Sequence, residues 1–540
     1  MPAPGNILFI MCDQLRFDYL GCAGHPTIRT PNIDALATQG VRFSRCYVQS
    51  PICGPSRMST YTGRYMRSHG ATWNMAPLRV GEMTMGDHLR PLGLRTVLCG
   101  KTHMTPDIEG MTRLGIDPGS ERGTLIAQCG FEPWDRLDGL HPHGSKKKPQ
   151  HYNETLNRRG YDGDNPWADW VAQVEGSDGT PRSGWLMAHA DRPARVRAED
   201  SETVYSTDRA MEFIDAAGEQ PWCLHLSYIK PHWPYVAPAP WHAMYGADDV
   251  IAVHRDPVER QDPHPVLAAF QKHRFSEVWN RPGARERVIP TYMGLVSQID
   301  AEVGRLVDFL HARGLDRDTL IVFTSDHGDY LGDHWLGEKE LFHDRSARVP
   351  LIVVDPRPEA DATRGSVCDA LVEAIDLLPT FIDWAGGTPP PHIVEGRSLL
   401  AHLRDPATAP RREVVFSEYD YAYRKARRLL DRPIMDCRLV MAFDGRFKLV
   451  LAPGFRPMLW DLDDDPDEFR DIGADPAQAA TVARLTAAVL DWSLRHHNRV
   501  TRSDTEVEEI GGREFHAGIL IGFWDEADLA EARALGDGGN

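Results

Sequence analysis

A chain of 540 residues, 42% hydrophobic and 26% charged, is too long for one compact core and predicts two domains. Its formal net charge of −18 is spread along the sequence, which excludes the clustered Lys and Arg of a nucleic-acid binder and argues against an anionic membrane surface. A small anionic substrate stays open, because local cations in a pocket decide that.

The N-terminal "MPAPGNILFIMCDQ" lacks a basic leader, and its apolar run Ile7 to Cys12 is too short for a signal core or a membrane span. It reads as a buried parallel strand ending at Asp13-Gln14, and the carboxyl ends of such strands carry ligands in open α/β sheets. The nine cysteines are odd in number and include no Cys-x-x-Cys pair, which suits a reducing, cytoplasmic setting. "TPNIDALATQGVRF" (30–43) predicts a short helix, with Pro31 in its first turn and Gly40 as its stop.

The next segment, "SPICGPSRMSTYTGRY" (50–65), carries Cys53-Gly54-Pro55-Ser56-Arg57 at the mouth of a predicted helix. It fits Cys-x-Pro-x-Arg, the signal by which a cysteine is oxidised to Cα-formylglycine. Hydrated, that aldehyde offers two hydroxyls on one carbon, one to attack an ester and one to expel the product later. The plainer alternative is a buried, inert thiol at a helix entrance.

"RTVLCGKTH" (95–103), "WCLHLSYIKPHWPY" (222–235) and "LIVFTSDHGDYLGDH" (320–334) are further strands, running into Lys101 and His103, Pro231-His232, and Asp326-His327. Between them, "YMGLVSQIDAEVGRLVDFLHARG" (292–314) repeats its apolar positions at three and four, the helical period. Alternating strands and helices predict a mainly parallel sheet covered on both faces. Residues 105–200 and 237–290 show no clear period and read as long loops over the active-site edge. After "IDLLPTFIDWAG" (375–386), strand-like runs at 412–420, 437–454 and 457–466, a hairpin signal at Asp444-Gly445 and an amphipathic helix over 476–497 predict a smaller α+β domain. The apolar "GILIGFW" (518–524) in the remaining tail is expected to pack on a neighbour.

Cleaving an anionic ester takes a nucleophile, cations on the nonbridging oxygens and an acid at the leaving group. The strand ends supply those types. Asp13, Gln14, Asp326 and His327 suit an oxygen-rich divalent site for Ca²⁺, Mg²⁺ or Mn²⁺, with the imidazole favouring Mn²⁺. Arg57 lies one helical turn beyond Cys53 and faces the same side. Lys101, His103, His232 and Lys339 are left for charge neutralisation and proton transfer. Each has a bland alternative: Asp13 as a helix cap, Asp326-His327-Gly328 as a turn, the lysines as solvated surface groups, the histidines as core residues. Their joint occurrence at four strand ends beside the Cys-x-Pro-x-Arg signal outweighs these. His25, His69, His88, His334 and His343 read as ordinary.

With "TPNIDALATQGVRF", "SPICGPSRMSTYTGRY", "LCGKTH", "KPHWPY", "FTSDHGDYLGDHWLGEK" and "RVPLIV", the chain resembles the formylglycine-dependent sulfatases of the alkaline phosphatase superfamily over roughly residues 5–355. "LWDLDDDPDEFRDI" (459–472) resembles the end of that family's small C-terminal domain. The resemblance implies an α/β fold, a large mixed sheet flanked by helices, with a catalytic domain over 1–390, a small C-terminal α+β domain over 391–500 and an oligomerisation tail over 501–540. It implies Cys53 as formylglycine nucleophile and metal ligand, and Asp13, Asp326 and His327 as ligands of one divalent ion, Ca²⁺ or Mn²⁺, with Gln14 beside them. Arg57 and Lys101 would hold the gem-diol and the anion, His103 would be the base that collapses the covalent sulfate, and His232 and Lys339 would serve the leaving oxygen.

Asp13-Gln14 and His327 depart from the Asp-Asp and Asn of many sulfatases and resemble phosphonate monoester hydrolases and choline sulfatases, as does Asn74. Lys101 and His103 resemble the pair of true sulfatases, so the reading is sulfate ester hydrolysis of arylsulfatase type, with phosphonate monoesters and phosphodiesters as side or rival substrates. The alternatives are a phosphonate monoester or phosphodiester hydrolase, a choline-sulfatase-like enzyme, or an inactive scaffold or metalloenzyme with unmodified Cys53. Expected partners are a small anionic ester, a formylglycine-generating system and further copies of the chain, most simply one in a homodimer.

Overall fold

The computed structural model describes residues 5–139, 151–495, 499–510 and 520–534. Its main feature is an eight-stranded sheet built from β1 (Asn6–Asp13), β2 (Val41–Tyr47), β3 (Arg95–Gly100), β4 (Glu132–Arg136), β7 (Trp222–Pro231), β8 (Thr319–Ser325), β9 (Arg348–Val354) and β10 (Ser366–Glu373), in the order β10-β2-β9-β8-β1-β7-β3-β4. The short strands β5 (Gln173–Glu175) and β6 (Pro181–Ser183) form a separate hairpin. All main-sheet pairings are parallel except those of β9, which runs antiparallel to both β2 and β8.

β1 lies between β7 and β8 and is buried along its whole length, as they are. Its side chains alternate between two cores, as the period of a strand requires. Leu8, Ile10 and Cys12 enter one core with Val296, Ile299 and Val303 of the long helix Ala284–Ala312. Ile7, Phe9 and Met11 enter the other, with Met58 of helix α2 (Cys53–Thr62) and Phe381 of helix Leu377–Trp384. Helices therefore cover both faces, and the carboxyl ends of β1, β3, β7 and β8 lie along one edge of the sheet.

Residues 105–200 hold more structure than their composition predicts: helices Ile108–Arg113, Glu121–Ile126 and His151–Arg158, the edge strand β4 and the β5–β6 hairpin. Helices Pro265–Gln271 and Arg274–Glu277 lie likewise within 237–290. None of these pieces exceeds eight residues, too short for a period to emerge.

A second sheet, antiparallel and in sequence order, joins β11 (Val415–Asp420), β12 (Arg438–Phe443), β13 (Phe447–Leu451) and β14 (Met458–Asp461). Asp444-Gly445 makes the β12–β13 turn, with Gly445 at φ +97°, where a side chain is disfavoured. Helix Ala479–Arg495 covers this sheet through Leu485 and Val489. Of the apolar run 518–524, positions 518–519 fall outside the described residues, while Leu520, Ile521 and Trp524 are exposed. Among the described residues no helix is long and apolar enough to cross a membrane.

One buried cation ties the two sheets. Lys448 on β13 donates to Asp344 Oδ1 and Glu468 Oε1, both at 2.6 Å, and to the Phe342 carbonyl at 3.1 Å. Asp344 also accepts from the Tyr47 hydroxyl at 2.9 Å. Lys448→Ala would leave Glu468 buried without its cation and Asp344 with Arg348 alone. It should cost about 3–5 kcal/mol in urea unfolding. A loss under about 1 kcal/mol, typical of an exposed pair, would contradict a buried tie.

Candidate functional site

Residue 53 opens helix α2, and its neighbour shows why the second motif position is glycine. Gly54 N donates to Asn74 Oδ1 at 2.8 Å, and a Cβ on Gly54 would meet Asn74 Cα and Oδ1 at 3.0 Å. Asn74 thus holds the helix entrance by its side chain. One turn on, Arg57 is fully buried, as the helical spacing predicts. Its Nε donates to Asp326 Oδ2 at 2.8 Å, its Nη2 to Asp13 Oδ2 at 3.3 Å, and its Nη1 to the Lys101 carbonyl at 2.9 Å and Ser227 Oγ at 2.7 Å. These contacts direct the guanidinium at the Asp13 and Asp326 carboxylates.

Around Cys53 Sγ stand Asp13 Oδ1 at 3.7 Å, His327 Nε2 at 3.1 Å and Lys339 Nζ at 3.4 Å. Lys101 Nζ pairs closely with Asp13 Oδ2. Burial alone would raise the Cys53 thiol, yet Lys339, Lys101 and His327, with a hydrogen bond from His103, pull it well below the ordinary thiol range. Asp13 shows the same balance: burial and the neighbouring Cys53 push its carboxyl up, and Lys101, His232 and Arg57 outweigh them and hold it well below the usual carboxylate range. The site favours an anion at residue 53.

The ligand atoms of Asp13, Cys53, Asp326 and His327 all lie within 4.8 Å of one another, and all four residues are buried. Their orientation is fixed from behind. The His327 Nδ1–H donates to the Gly328 carbonyl at 2.9 Å, which turns Nε2 toward Cys53. Asp326 Oδ1 accepts from the Gln14 backbone N–H at 3.1 Å. The Gln14 amide donates Nε2–H to Asp329 Oδ2 at 2.5 Å, and its Oε1 accepts from Lys339 Nζ at 2.9 Å. Tyr235 OH donates to the same Asp329 oxygen at 2.6 Å. Two buried carboxylates and an imidazole Nε2, gathered around the residue-53 side chain, are donor types that fit one divalent cation.

Lys339 Nζ also donates to His232 Nε2 at 3.1 Å, and His232 Nδ1–H donates to the Trp233 carbonyl at 2.7 Å. Burial, then Lys339, lowers the His232 pKa from its ordinary value, against the opposing pull of Asp13. His103 is gripped through its backbone N–H by Asp138 Oδ1 at 3.0 Å, and its Nδ1 is buried without a hydrogen-bond partner.

The structure brings every residue nominated from the sequence to this edge. It adds Asp329, Tyr235, Asp138 and Ser227, which touch the nominated residues and not residue 53. Asp329 stands in the quoted "SDHGDY", where its acidic type was the available signal. His334 and His343, read as ordinary, stack ring on ring at 4.0 Å, and His334 bonds Glu259 at 2.7 Å. The ligand atoms of this trio also lie within 4.8 Å of one another, but rings only 18° from parallel direct their lone pairs along separate planes, a poor arrangement for sharing one ion.

The family model described as Sulfatase matches residues 5–387, and that described as N-sulphoglucosamine sulphohydrolase, C-terminal, matches residues 332–494. The multifunctional alkaline phosphatase superfamily protein PehA of Trinickia caryophylli is 32% identical over 532 residues, covering 92% of this chain and 96% of the relative. An arylsulfatase of Clostridium perfringens is 28% identical, covering 73% of this chain and 77% of the relative. Among solved structures, a phosphonate monoester hydrolase from Silicibacter pomeroyi has a TM-score of 0.79 at 31% identity, covering 92% of this chain and 96% of that one.

Asp329 decides which end of the Gln14 amide faces Lys339 and the carboxylates. Asp329→Ala should weaken divalent-ion binding, measured by calorimetric titration, by about 10–100-fold, the usual cost of losing a residue behind a metal site. Unchanged affinity would contradict that positioning role.

Proposed function

The chain belongs to the sulfatase family, and from that premise we propose that it hydrolyses sulfate monoesters, with an aryl-type leaving group, at a formylglycine formed from Cys53 by a formylglycine-generating system. The observation that carries this reading is the convergence of Lys339, Lys101, His327 and His103 on residue 53. An anionic nucleophile and an anionic ester both need such a field. As a hydrated aldehyde, residue 53 supplies one hydroxyl to attack sulfur and a second whose deprotonation expels sulfate.

Asp13, Asp326, His327 and residue 53, with Gln14 adjacent, would hold the divalent ion, Ca²⁺ or Mn²⁺ by donor type. When bound, that ion neutralises charge on the ester oxygens and lowers the pKa of a residue-53 hydroxyl. Arg57 keeps the two carboxylates in place. Lys101 balances Asp13 and faces the transferring group. Lys339 and His232 share one proton beside residue 53, the arrangement of an acid for the leaving oxygen. His103 takes the proton of the second hydroxyl.

Phosphonate monoesters and phosphodiesters are the second reading, favoured by the likeness to a phosphonate monoester hydrolase. His103 favours sulfate, because a base at residue 53 serves collapse of a covalent sulfate. The exposed Leu520, Ile521 and Trp524 support a homodimer joined through the C-terminal tail.

His103→Ala should release a stoichiometric burst of phenol from an aryl sulfate, then turn over more slowly by a factor on the order of 10²–10⁴, with sulfate trapped on residue 53. Slowed first release without a trapped adduct would overturn the role given to His103. A higher kcat/KM for an aryl phosphonate than for the matching aryl sulfate would favour the second reading.

A further inference from the structure

Lys230 stands near the end of β7, two residues before His232, and is only 5% exposed. Lysine is rarely buried so fully without partners. Its ammonium has three donors, and three acceptors meet it: the Pro234 carbonyl at 3.0 Å, the His232 carbonyl at 3.4 Å and Glu202 Oε1 at 3.4 Å. With its donors so engaged, Lys230 offers none to residue 53 or to an ester. The carbonyl between those two, that of Trp233, is left for the His232 ring and lies 2.7 Å from its Nδ1. A carbonyl only accepts, so Nδ1 carries hydrogen, and Nε2 is the nitrogen presented to Lys339 Nζ at 3.1 Å. The direction of the imidazole therefore follows from how three successive carbonyls are divided between Lys230 and the ring.

The grip is anchored from outside the sheet. Glu202, the first residue of helix Glu202–Ala217, is buried. Its Oε2 accepts from the Trp167 indole N–H at 2.8 Å, and the Trp167 backbone N–H donates to Asn153 Oδ1 at 3.0 Å. Trp167 packs in one apolar cluster with Ile229 and Val236, which flank the loop. Lys230 is the one salt-bridge partner of Glu202 among the described residues. Neither charge is stable in that burial without the other, so each fixes its partner. Packing alone holds the loop less firmly. Trp233 meets Trp185 edge to face at 5.2 Å and borders a cavity of about 150 Å³ with Tyr235, Phe275 and Trp279, which leaves room for the loop to shift.

We propose that Lys230, with Glu202 behind it, is a positioning residue for ester cleavage. By holding the His232 and Pro234 carbonyls, it leaves the Trp233 carbonyl to His232 Nδ1 and so aims Nε2 at Lys339 and the leaving oxygen. The role of His232 rests on the ester-hydrolase reading above; the orientation of its ring does not. A buried pair that only stabilised the fold would act on all substrates alike. A pair that aims the ring acts most on substrates whose leaving oxygen needs an acid.

The test uses Lys230→Met, which keeps the length of the side chain and removes its donors, and Glu202→Gln, which keeps the shape, removes the counter-charge and serves alone if the first variant does not fold. Lys230→Met should lower kcat/KM for phenyl sulfate by about 10–100-fold, the scale expected when a catalytic group is misplaced by about 1 Å. The loss for 4-nitrophenyl sulfate, whose leaving group needs little acid, should stay under about threefold. Glu202→Gln should act in the same direction. In a His232→Ala background neither change should lower the phenyl sulfate rate further. Equal losses on both substrates, or losses that persist without His232, overturn the proposal. Crystal structures of the unaltered protein and of each variant that folds supply a readout that needs no turnover. In the variants the His232 ring should turn so that Nε2 lies beyond about 3.5 Å from Lys339 Nζ, outside hydrogen-bond range. An unmoved ring overturns the proposal. If the unaltered protein cleaves neither phenyl sulfate nor phenyl methylphosphonate, the ester-hydrolase reading fails by itself, and the position of the ring still decides what Lys230 does.

Discussion

Asp13 sits at the end of the most central strand with no exposed surface. A carboxylate there costs several kcal/mol unless cations compensate it, and so much of the site consists of that compensation. Arg57 joins Asp13 to Asp326, Lys101 pairs with Asp13 on the side of β3, and His327 and His232 approach within 3.8 Å. Removing one partner leaves the others buried with the wrong sum of charge. The same field that keeps Asp13 ionised lowers the residue-53 thiol, so the stability of the sheet edge and the anion preference of the site have one electrostatic origin.

Much of this was legible in the sequence because it is local. An apolar run ending in Asp13-Gln14 or Asp326-His327 announces both a strand and its chemistry, and the Cys53–Arg57 spacing sets two side chains on one helical face. The mixed α/β sheet, its flanking helices and the second, antiparallel sheet follow the same signals, and the likeness to the Silicibacter pomeroyi enzyme agrees with that architecture. What escaped depends on distance along the chain. The reversal of β9 cannot be read from "RVPLIV", since a buried strand has the same composition in either direction. Nor does Asp329 declare that it fixes the amide of a residue 315 positions away. The spacing puts Arg57 on the same helical face as Cys53, but it does not say that Asp13, Asp326, Ser227 and the Lys101 carbonyl are its partners.

The arrangement separates two tasks. Charged groups converge on residue 53 and are held by partners such as Asp138 and the buried Asp329 and Ser227. The neighbouring aromatic cavity is walled by segments 184–187, 233–235 and 275–279, largely outside the regular strands. A rigid sheet edge with a wall drawn from connecting segments lets selectivity change without disturbing the buried charges.

The central claim is that residue 53 acts as an aldehyde hydrate and not as a thiol. Preparations that differ in the extent of oxidation test it most directly, with the formylglycine fraction read from the mass of the peptide containing residue 53 and turnover measured on the same samples. The account expects turnover to rise in proportion to that fraction and to extrapolate to zero for the pure thiol. Full turnover in a preparation whose residue 53 is entirely cysteine would contradict it.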